Sequence, residues 1–359
     1  MAPRTPSASR WSRSITARLI QQVLGAFWIL DGVLQLQPFM FSNGMLTQII
    51  EPSAQGQPDV VGHSIIFMSN LLQPLLVPAN AAFAIGQLLI GLGLLVSRRT
   101  VKAALVASFV WVPVVWWFGE GLGMLLTGVA SPLTGAPGAV LLYGLVGLLV
   151  WPKESPHDGL ADRRRLTDVG GRTTWLALWV LFGGLMLLPA NRHADAFSNA
   201  ASTAAGLAPW PFAGLDSAIA SAAVGRGSGL AGVLSLLMVL IGLGVIVTRL
   251  RNPSLVVGSA LSLLFWVTTQ NFGGLFTGSG TDPNSGPLIA LIALALYRKK
   301  AVVALARPGL RWPGVRVVAP FDEDSEQSPS PRPEGSELDG RDVSMRISAS
   351  SGGIELCAE

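Results

Sequence analysis

The sequence has few of the residues that form disulfides and metal sites. It contains one cysteine, Cys357, and three histidines among its 359 residues. A single cysteine excludes a disulfide framework and a cysteine-based metal site. We therefore predict no metal site, and no cofactor is evident from the residues themselves.

Charged residues are also scarce. They make up 13% of the chain, about half the fraction usual in a soluble domain, while apolar residues make up 50%. The apolar residues come in blocks of roughly 15 to 25, long enough to cross a bilayer as helices. The sequence therefore predicts an all-α polytopic membrane protein of the cell membrane, with the lipid bilayer as its first partner. Arginine outnumbers lysine 21 to 4, which indicates a GC-rich bacterial genome.

Eight apolar blocks are predicted to be transmembrane helices, at 19–38, 76–96, 103–127, 137–151, 175–189, 230–248, 255–277 and, shorter, from residue 287. Lysine and arginine follow the even-numbered helices, whereas the segments 40–75, 120–136 and 270–286 contain neither. By the positive-inside bias both termini are cytoplasmic, and the long loops after helices 1 and 5 are external. Because the basic residues lie mostly in short segments between apolar blocks, we expect no nucleic-acid partner despite a pI near 9.7.

This topology divides the chain into five parts. They are a cytoplasmic N-terminus (1–17), a first four-helix membrane repeat (18–152), a basic cytoplasmic linker (153–173), a second four-helix membrane repeat (174–306) and a cytoplasmic tail (307–359). From Pro320 onward the tail carries ten acidic residues and many Ser, Pro and Gly, with almost no apolar periodicity. Such a composition predicts disorder.

The two membrane repeats are predicted from self-similarity at a shift of about 150 residues. The segments 28–38 and 179–189 match, as do 90–98 and 241–249. Further matches pair Trp116, Gly123, Leu125, Thr127, Gly128 and Pro137 with Trp266, Gly273, Leu275, Thr277, Gly278 and Pro287. A unit of four spans re-enters from the same side, so the repeats are predicted to be parallel, related by an axis along the membrane normal.

Asp31 and Glu120 are the charges predicted to lie within spans, where an idle charge is costly. At about 1.5 Å per residue, Asp31 lies ~20 Å and Glu120 ~26 Å from the cytoplasmic start of its helix, so the two are expected to share one cavity in the outer half. Trp28 and Trp116 share a helix face with these acids.

In the second repeat, the acids are replaced by Phe182 and Gln270, with Asn271 beside the latter. The functional hypothesis is one acidic site in the first repeat, used for binding or proton exchange, with the candidates Asp31, Glu120, Trp28, Trp116, Gln270 and Asn271. The structural alternative places Glu120 at the outer interface and Asp31 in a hydrogen bond with Gln35 or a neighbouring helix. No catalytic residue is predicted.

The segments 24–36 (LGAFWILDGVLQL) and 87–96 (QLLIGLGLLV) resemble the DoxX-like superfamily of small four-helix membrane proteins. The resemblance covers helices 1 and 2 of each repeat. It implies a four-helix fold for each half, a redox-linked setting and, as the one cofactor, a quinone. The chain departs from the superfamily pattern in its duplication, its long external loops and its acidic tail, and no catalytic residue carries over.

Three functions are compatible with these features. The first is a non-catalytic subunit or scaffold of a redox-linked or envelope membrane complex, with other membrane proteins as partners. The alternative is a proton- or cation-coupled carrier of a small molecule that uses the intramembrane acids. A membrane enzyme is disfavoured, because the sequence offers no Ser/His/Asp or Cys/His constellation.

Overall fold

The computed structural model of the chain describes residues 8–152 and 160–297. These residues form helices and connecting segments, and none of them is in a β-strand. The α-helices are α1 (Ala8–Leu34), α2 (Asp59–Leu72), α3 (Leu76–Val96), α4 (Val101–Phe118), α5 (Ala139–Leu149), α6 (Leu160–Met186), α7 (Ala196–Leu207), α8 (Phe212–Ala223), α9 (Gly227–Gly244), α10 (Arg251–Val267) and α11 (Ser285–Leu296). The predicted tail, 307–359, lies outside the described residues.

Four helical stretches in the described residues are long and apolar enough to cross a membrane: Ala17–Leu34, Asp59–Val96, Val101–Phe118 and Gly227–Gly244. Only 28% to 44% of the residues in their most apolar windows are buried inside the protein. Most of this apolar surface therefore faces outward, as expected of helices that contact lipid. Exposed residues such as Leu89, Val110 and Val233 belong to it.

The helices pair closely through small residues. On α1, a Cβ added at Gly25 would lie 2.9 Å from Gly91 O of α3, and one added at Gly91 would lie 2.7 Å from Gly25 O. In the second half, Ser235 Oγ of α9 donates a hydrogen bond to Gly183 O of α6 at 2.8 Å. Small residues permit this close approach of helix backbones, the packing favoured in membrane bundles.

Helix α4 ends earlier than its hydrophobicity predicts. The predicted span 103–127 is helical only to Phe118, and after Glu120 the chain enters left-handed backbone at Leu122 (φ 55°) and Gly123 (φ 62°). A Cβ at Gly123 would collide with Pro137 O, so glycine allows the chain to pass close to the start of α5. An apolar run cannot reveal this break, because the segment beyond it remains apolar.

The second half contains the same break. Helix α10 ends at Val267, although the predicted span ran to residue 277, and Phe272 (φ 54°) and Gly273 (φ 71°) are left-handed. Trp266 Nε1 donates to Pro283 O at 2.7 Å, as Trp116 Nε1 donates to Pro137 O at 2.7 Å. The proline in this contact is Pro283 and not Pro287, the residue that the sequence comparison pairs with Pro137.

The two short helices that follow these breaks, α5 and α11, pack against each other as well as against α4 and α10. Their inner residues, among them Leu142 and Ile292, are fully buried. The remaining helices are arranged around them, with α1 against α3 and α6 against α9. Helix α6 begins at Leu160, within the segment 153–173 predicted to be a linker.

The long connection after α1 folds over one end of the first half. It contains a 3-10 turn (Pro38–Phe41), a π-helical turn (Met45–Ile50) and α2. Gln57 Nε2 donates to Gly121 O at 2.6 Å, and Trp117 Nε1 donates to Ser64 Oγ at 2.8 Å. These bonds fix the connection, here called the first cap (38–72), over the end of α4. Helices α7 and α8 form the corresponding connection in the second half.

Candidate functional site

A cavity of about 200 Å³ lies between α1, α3, α4, α5 and the first cap. Asp31 and Glu120 both line it, together with Trp28. The other lining residues are mainly apolar or aromatic: Met45, Ile49, Ile50, Met68, Leu72, Phe83, Trp111, Val114, Val115, Phe118, Gly119 and Val140, with Gln35, Gln87, Tyr143, Thr281 and Asp282 as the polar members. None of these described lining residues is a lysine or an arginine.

Asp31 is in the last turns of α1 and is only 4% exposed. Its Oδ1 has no hydrogen-bond partner among the described residues, and neither has Gln35 Oε1. The structural alternative of an Asp31–Gln35 hydrogen bond therefore does not satisfy either of these oxygens. Tyr143 of α5 adjoins Asp31, and its hydroxyl is also buried without a partner among the described residues. Burying an acceptor without a donor is costly, so this carboxyl group is one that a ligand would stabilise.

Glu120 lies just beyond α4 and faces the start of α5. Its Oε1 accepts a hydrogen bond from Val140 N at 3.0 Å, which satisfies an amide in the first turn of that helix. A carboxylate is favoured there by the helix dipole as well. A side chain at Gly138 (φ 107°) would collide with Glu120 Oε2. That second oxygen is buried and has no partner in the described part of the chain. Glu120 thus has a structural role through one oxygen and a free acceptor at the other.

The third acid of the cavity, Asp282, comes from the second half of the chain. It lies in the loop between α10 and α11, where its oxygens accept from Thr281 Oγ1 and Asn284 N, both at 2.7 Å. Gln37 Nε2 donates to Gly280 O at 3.1 Å and so ties this loop to the end of α1.

The sequence interpretation places the acidic site in the first repeat, whereas Asp282 of the second repeat also lines the cavity. The loop 278–286 brings a carboxylate to the cavity of the other half. Periodicity cannot reveal such an insertion, since it depends on how the two halves pack. The one available signal was an acid in a segment free of lysine and arginine.

Gln87 and Trp111 also line the cavity and were not predicted to do so. Gln87 of α3, which is 9% exposed, has an Oε1 without a partner in the described ranges. The indole of Trp111 packs edge-on against Trp28 (centroids 6.5 Å apart) and Phe83 (5.7 Å). Gln87 and Trp111 lie in apolar helices, where a single glutamine or tryptophan does not stand out on sequence grounds.

Three predicted candidates lie elsewhere. Trp116 does not line the cavity, because its indole is directed to Pro137 O. Gln270 lines a second, much smaller cavity of about 10 Å³, with Trp179 and Phe182. Asn271 is buried in left-handed backbone (φ 44°).

The second cavity differs from the first at each key position. Phe182, the counterpart of Asp31, lines it with an apolar ring, and the amide of Gln270 is bonded to neighbouring residues of the protein. Gln270 Nε2 donates to Pro132 O (3.2 Å) and Ser285 Oγ (3.0 Å), and Gln270 Oε1 accepts from Gly286 N (3.4 Å). Pro132 comes from the first half, so each half contributes a loop to the cavity of the other. Only the first cavity has room for a ligand larger than water.

Comparison with protein-family models, with curated proteins and with solved structures found no match to this chain.

Proposed function

We propose that this protein is an integral membrane carrier of a small organic molecule, coupled to proton or cation exchange at Asp31 and Glu120. The observation that carries this proposal is the cavity of about 200 Å³ in which both carboxyl groups line one apolar space. Ionisable groups at such positions are expensive to keep and typically mark a transport or proton pathway. A purely structural bundle would be more stable with apolar residues there.

The proposed architecture has eight spans in two parallel repeats. In addition to the four long apolar helices, α5, α6, α10 and α11 would cross or enter the bilayer. The non-helical segments after α4 and α10 would then lie at membrane depth, which is tolerated where backbone is buried in protein or lines a cavity. Matching left-handed pairs, Leu122–Gly123 and Phe272–Gly273, support a duplication.

The proposed orientation places both termini in the cytoplasm, and the single cysteine allows a direct test. In intact cells a membrane-impermeant maleimide should not label Cys357 until the membrane is permeabilised. Ser202→Cys, on the exposed face of α7, supplies the matched external position and should be labelled without permeabilisation. Labelling of Cys357 in intact cells would contradict the orientation.

Coupling would follow from the cost of burying charge. A carboxylate without a counter-ion in this cavity favours either a proton or a bound cation, and exchange between the two links substrate movement to the proton gradient. The residues that line the cavity are sufficient for both the protonated and the cation-bound state.

Proteoliposomes containing the full chain test the proposal. A defined pool of amines, carboxylic acids and neutral aromatic molecules is added with and without a pH gradient, and accumulated compounds are identified by mass spectrometry. We expect gradient-dependent accumulation that is lost in Asp31→Asn and Glu120→Gln but kept in Asp59→Asn, an exposed acid at the start of α2. Equal accumulation in wild type and both cavity variants, or none at all, would contradict a coupled carrier.

The scaffold function and the DoxX-like relationship remain predictions. Repeated co-purification of a partner in mild detergent would favour a scaffold, whereas isolation of the chain alone would count against it.

A further inference from the structure

The first cavity contains more unpaired hydrogen-bond acceptors than unpaired donors. Asp31 Oδ1, Glu120 Oε2, Gln35 Oε1 and Gln87 Oε1 are buried acceptors without a partner within the described residues, whereas the unpaired buried donors that line the cavity are Trp28 Nε1 and the Tyr143 hydroxyl. Three of these side chains, those of Asp31, Gln35 and Gln87, are at least nine-tenths buried. Unpaired acceptors of this kind are rare in folded proteins and call for a donor.

A ligand that donates hydrogen bonds to these carboxyl groups is favoured if it carries a positive charge. Asp31, Glu120 and Asp282 line the same space, and no lysine or arginine of the described chain lines it with them. A charge-assisted hydrogen bond from a cation to a carboxylate is about twice as strong as a neutral one.

The lining favours an organic cation over a metal ion. Among the residues that the structure describes, no three His, Cys, Asp or Glu side chains are grouped closely enough to hold a metal ion. Most of the lining is hydrocarbon or aromatic, and such a surface suits an apolar group. Trp28, Trp111 and Phe83 present rings that favour a cation through their π faces.

We infer that the cavity binds a primary organic ammonium, its N–H groups donating to Asp31, Glu120 and the glutamine oxygens while its apolar body packs among the tryptophans. This inference rests on the proposed function and names the substrate class of that same cavity. A primary ammonium offers three donors, which a quaternary ammonium lacks and a neutral alcohol does not match.

A ligand series tests this without any substitution. The full chain in lipid nanodiscs is titrated calorimetrically with benzylamine, benzyltrimethylammonium, benzyl alcohol and benzoate, which share the aromatic ring and differ in charge and N–H donors. We expect saturable binding of benzylamine, with the other three at least about tenfold weaker, the ratio that one lost charge-assisted bond produces. Equal binding of benzyl alcohol or of benzyltrimethylammonium would overturn the inference, as would no binding of benzylamine.

Variants locate the binding. Asp31→Asn should weaken benzylamine by at least about tenfold, since it removes the charge and keeps the shape. Gln87→Met removes the amide, including its unpaired acceptor oxygen, without changing the charge, and should weaken benzylamine by about threefold. This second variant tests the inference if Asp31→Asn fails to fold. Asp59→Asn should bind like wild type. Benzylamine binding unchanged in Asp31→Asn would overturn the inference.

The two proposals fail separately. If a neutral or anionic member of the proteoliposome pool accumulates with the pH gradient while benzylamine does not bind, the carrier stands and the ammonium assignment falls. If benzylamine binds but nothing accumulates, the cavity is an ammonium-binding site and the coupled carrier falls.

Discussion

Glu120 and Gln270 make the same backbone contact in the two halves of the chain. Glu120 Oε1 accepts from Val140 N at 3.0 Å, and Gln270 Oε1 accepts from Gly286 N at 3.4 Å. Each side chain follows a broken helix and caps the first turn of the next one. The carboxylate is therefore not required for the cap, because an amide does the same work in the second half. The two side chains differ in their second polar atom. Glu120 Oε2 has no partner among the described residues, whereas Gln270 Nε2 donates to Pro132 O and Ser285 Oγ.

This relationship predicts that Glu120→Gln is structurally mild. We expect its free energy of unfolding to stay within about 1 kcal/mol of wild type, because the glutamine oxygen keeps the cap, whereas Glu120→Ala should lose about 1–2 kcal/mol. Thermal unfolding of the detergent-solubilised full chain measures both. If Glu120→Gln proved as unstable as Glu120→Ala, the charge itself would be structural, and the assignment of Glu120 to ligand binding would be wrong.

Gly138 should be required for the position of that carboxylate. Its φ of 107° and the collision of an added Cβ with Glu120 Oε2 predict that Gly138→Ala costs both backbone strain and displacement of the acid. Gly128 is the matched control, since its φ is 76° and a Cβ added there would have no neighbour within 4 Å. We expect Gly138→Ala to be at least about 1 kcal/mol more destabilising than Gly128→Ala by thermal unfolding.

A double-variant cycle isolates the contact with the acid. In a Glu120→Ala background, the excess cost of Gly138→Ala over Gly128→Ala should shrink, because the colliding oxygen is gone. An excess of the same size in both backgrounds would show that the collision with Glu120 does not determine the need for glycine.

The sequence predicted the helical membrane class because that prediction depends only on hydrophobicity and charge spacing. Asp31 and Glu120 could be selected for the same reason, since a charge in an apolar block stands out. The end of α4 at Phe118 could not be predicted, because it depends on left-handed backbone at Leu122 and on a contact with distant Pro137. Asp282 was missed for a related reason, as its place in the cavity results from packing between the halves.

Gln37 should act as a positioning residue for Asp282. It does not line the cavity, but its amide holds Gly280 O in the loop that carries the acid. Gln37→Leu should therefore increase hydrogen–deuterium exchange in residues 277–283 and weaken benzylamine binding by about threefold. Gln55→Leu, at an exposed position of the first cap, is the matched control and should change neither.

If Gln37 acts on the ligand through Asp282, the effects of substituting the two residues should not add. In an Asp282→Asn background, Gln37→Leu should still increase exchange in the loop but should weaken benzylamine no further. Additive effects of the two substitutions on binding would mean that Gln37 acts on the ligand by another route.

Asp216 of α8 should make the second cap (α7 and α8) sensitive to pH. Asp216 is fully buried, and neither of its carboxylate oxygens has a partner in the described residues. Burial raises its pKa to about 6. In the unfolded chain the group ionises near its usual pKa of 3.8. Between these values the unfolded state has lost the proton and the folded state has kept it. The contribution of Asp216 to stability therefore falls as the pH rises from about 4 to 6, and the loss is complete above that range.

Asp216→Asn removes this dependence and should be more stable than wild type at pH 7.5 by about 1–3 kcal/mol, because the amide cannot ionise and a raised carboxyl pKa costs about 1.4 kcal/mol per pKa unit. The advantage should shrink at pH 5, where wild type is largely protonated. Asp59→Asn, at an exposed acid, should show no such change between the two pH values. Thermal unfolding at pH 5 and pH 7.5 measures all three chains. An advantage of equal size at both pH values would mean that ionisation of Asp216 does not control the stability of this cap, and that the substitution acts through packing alone.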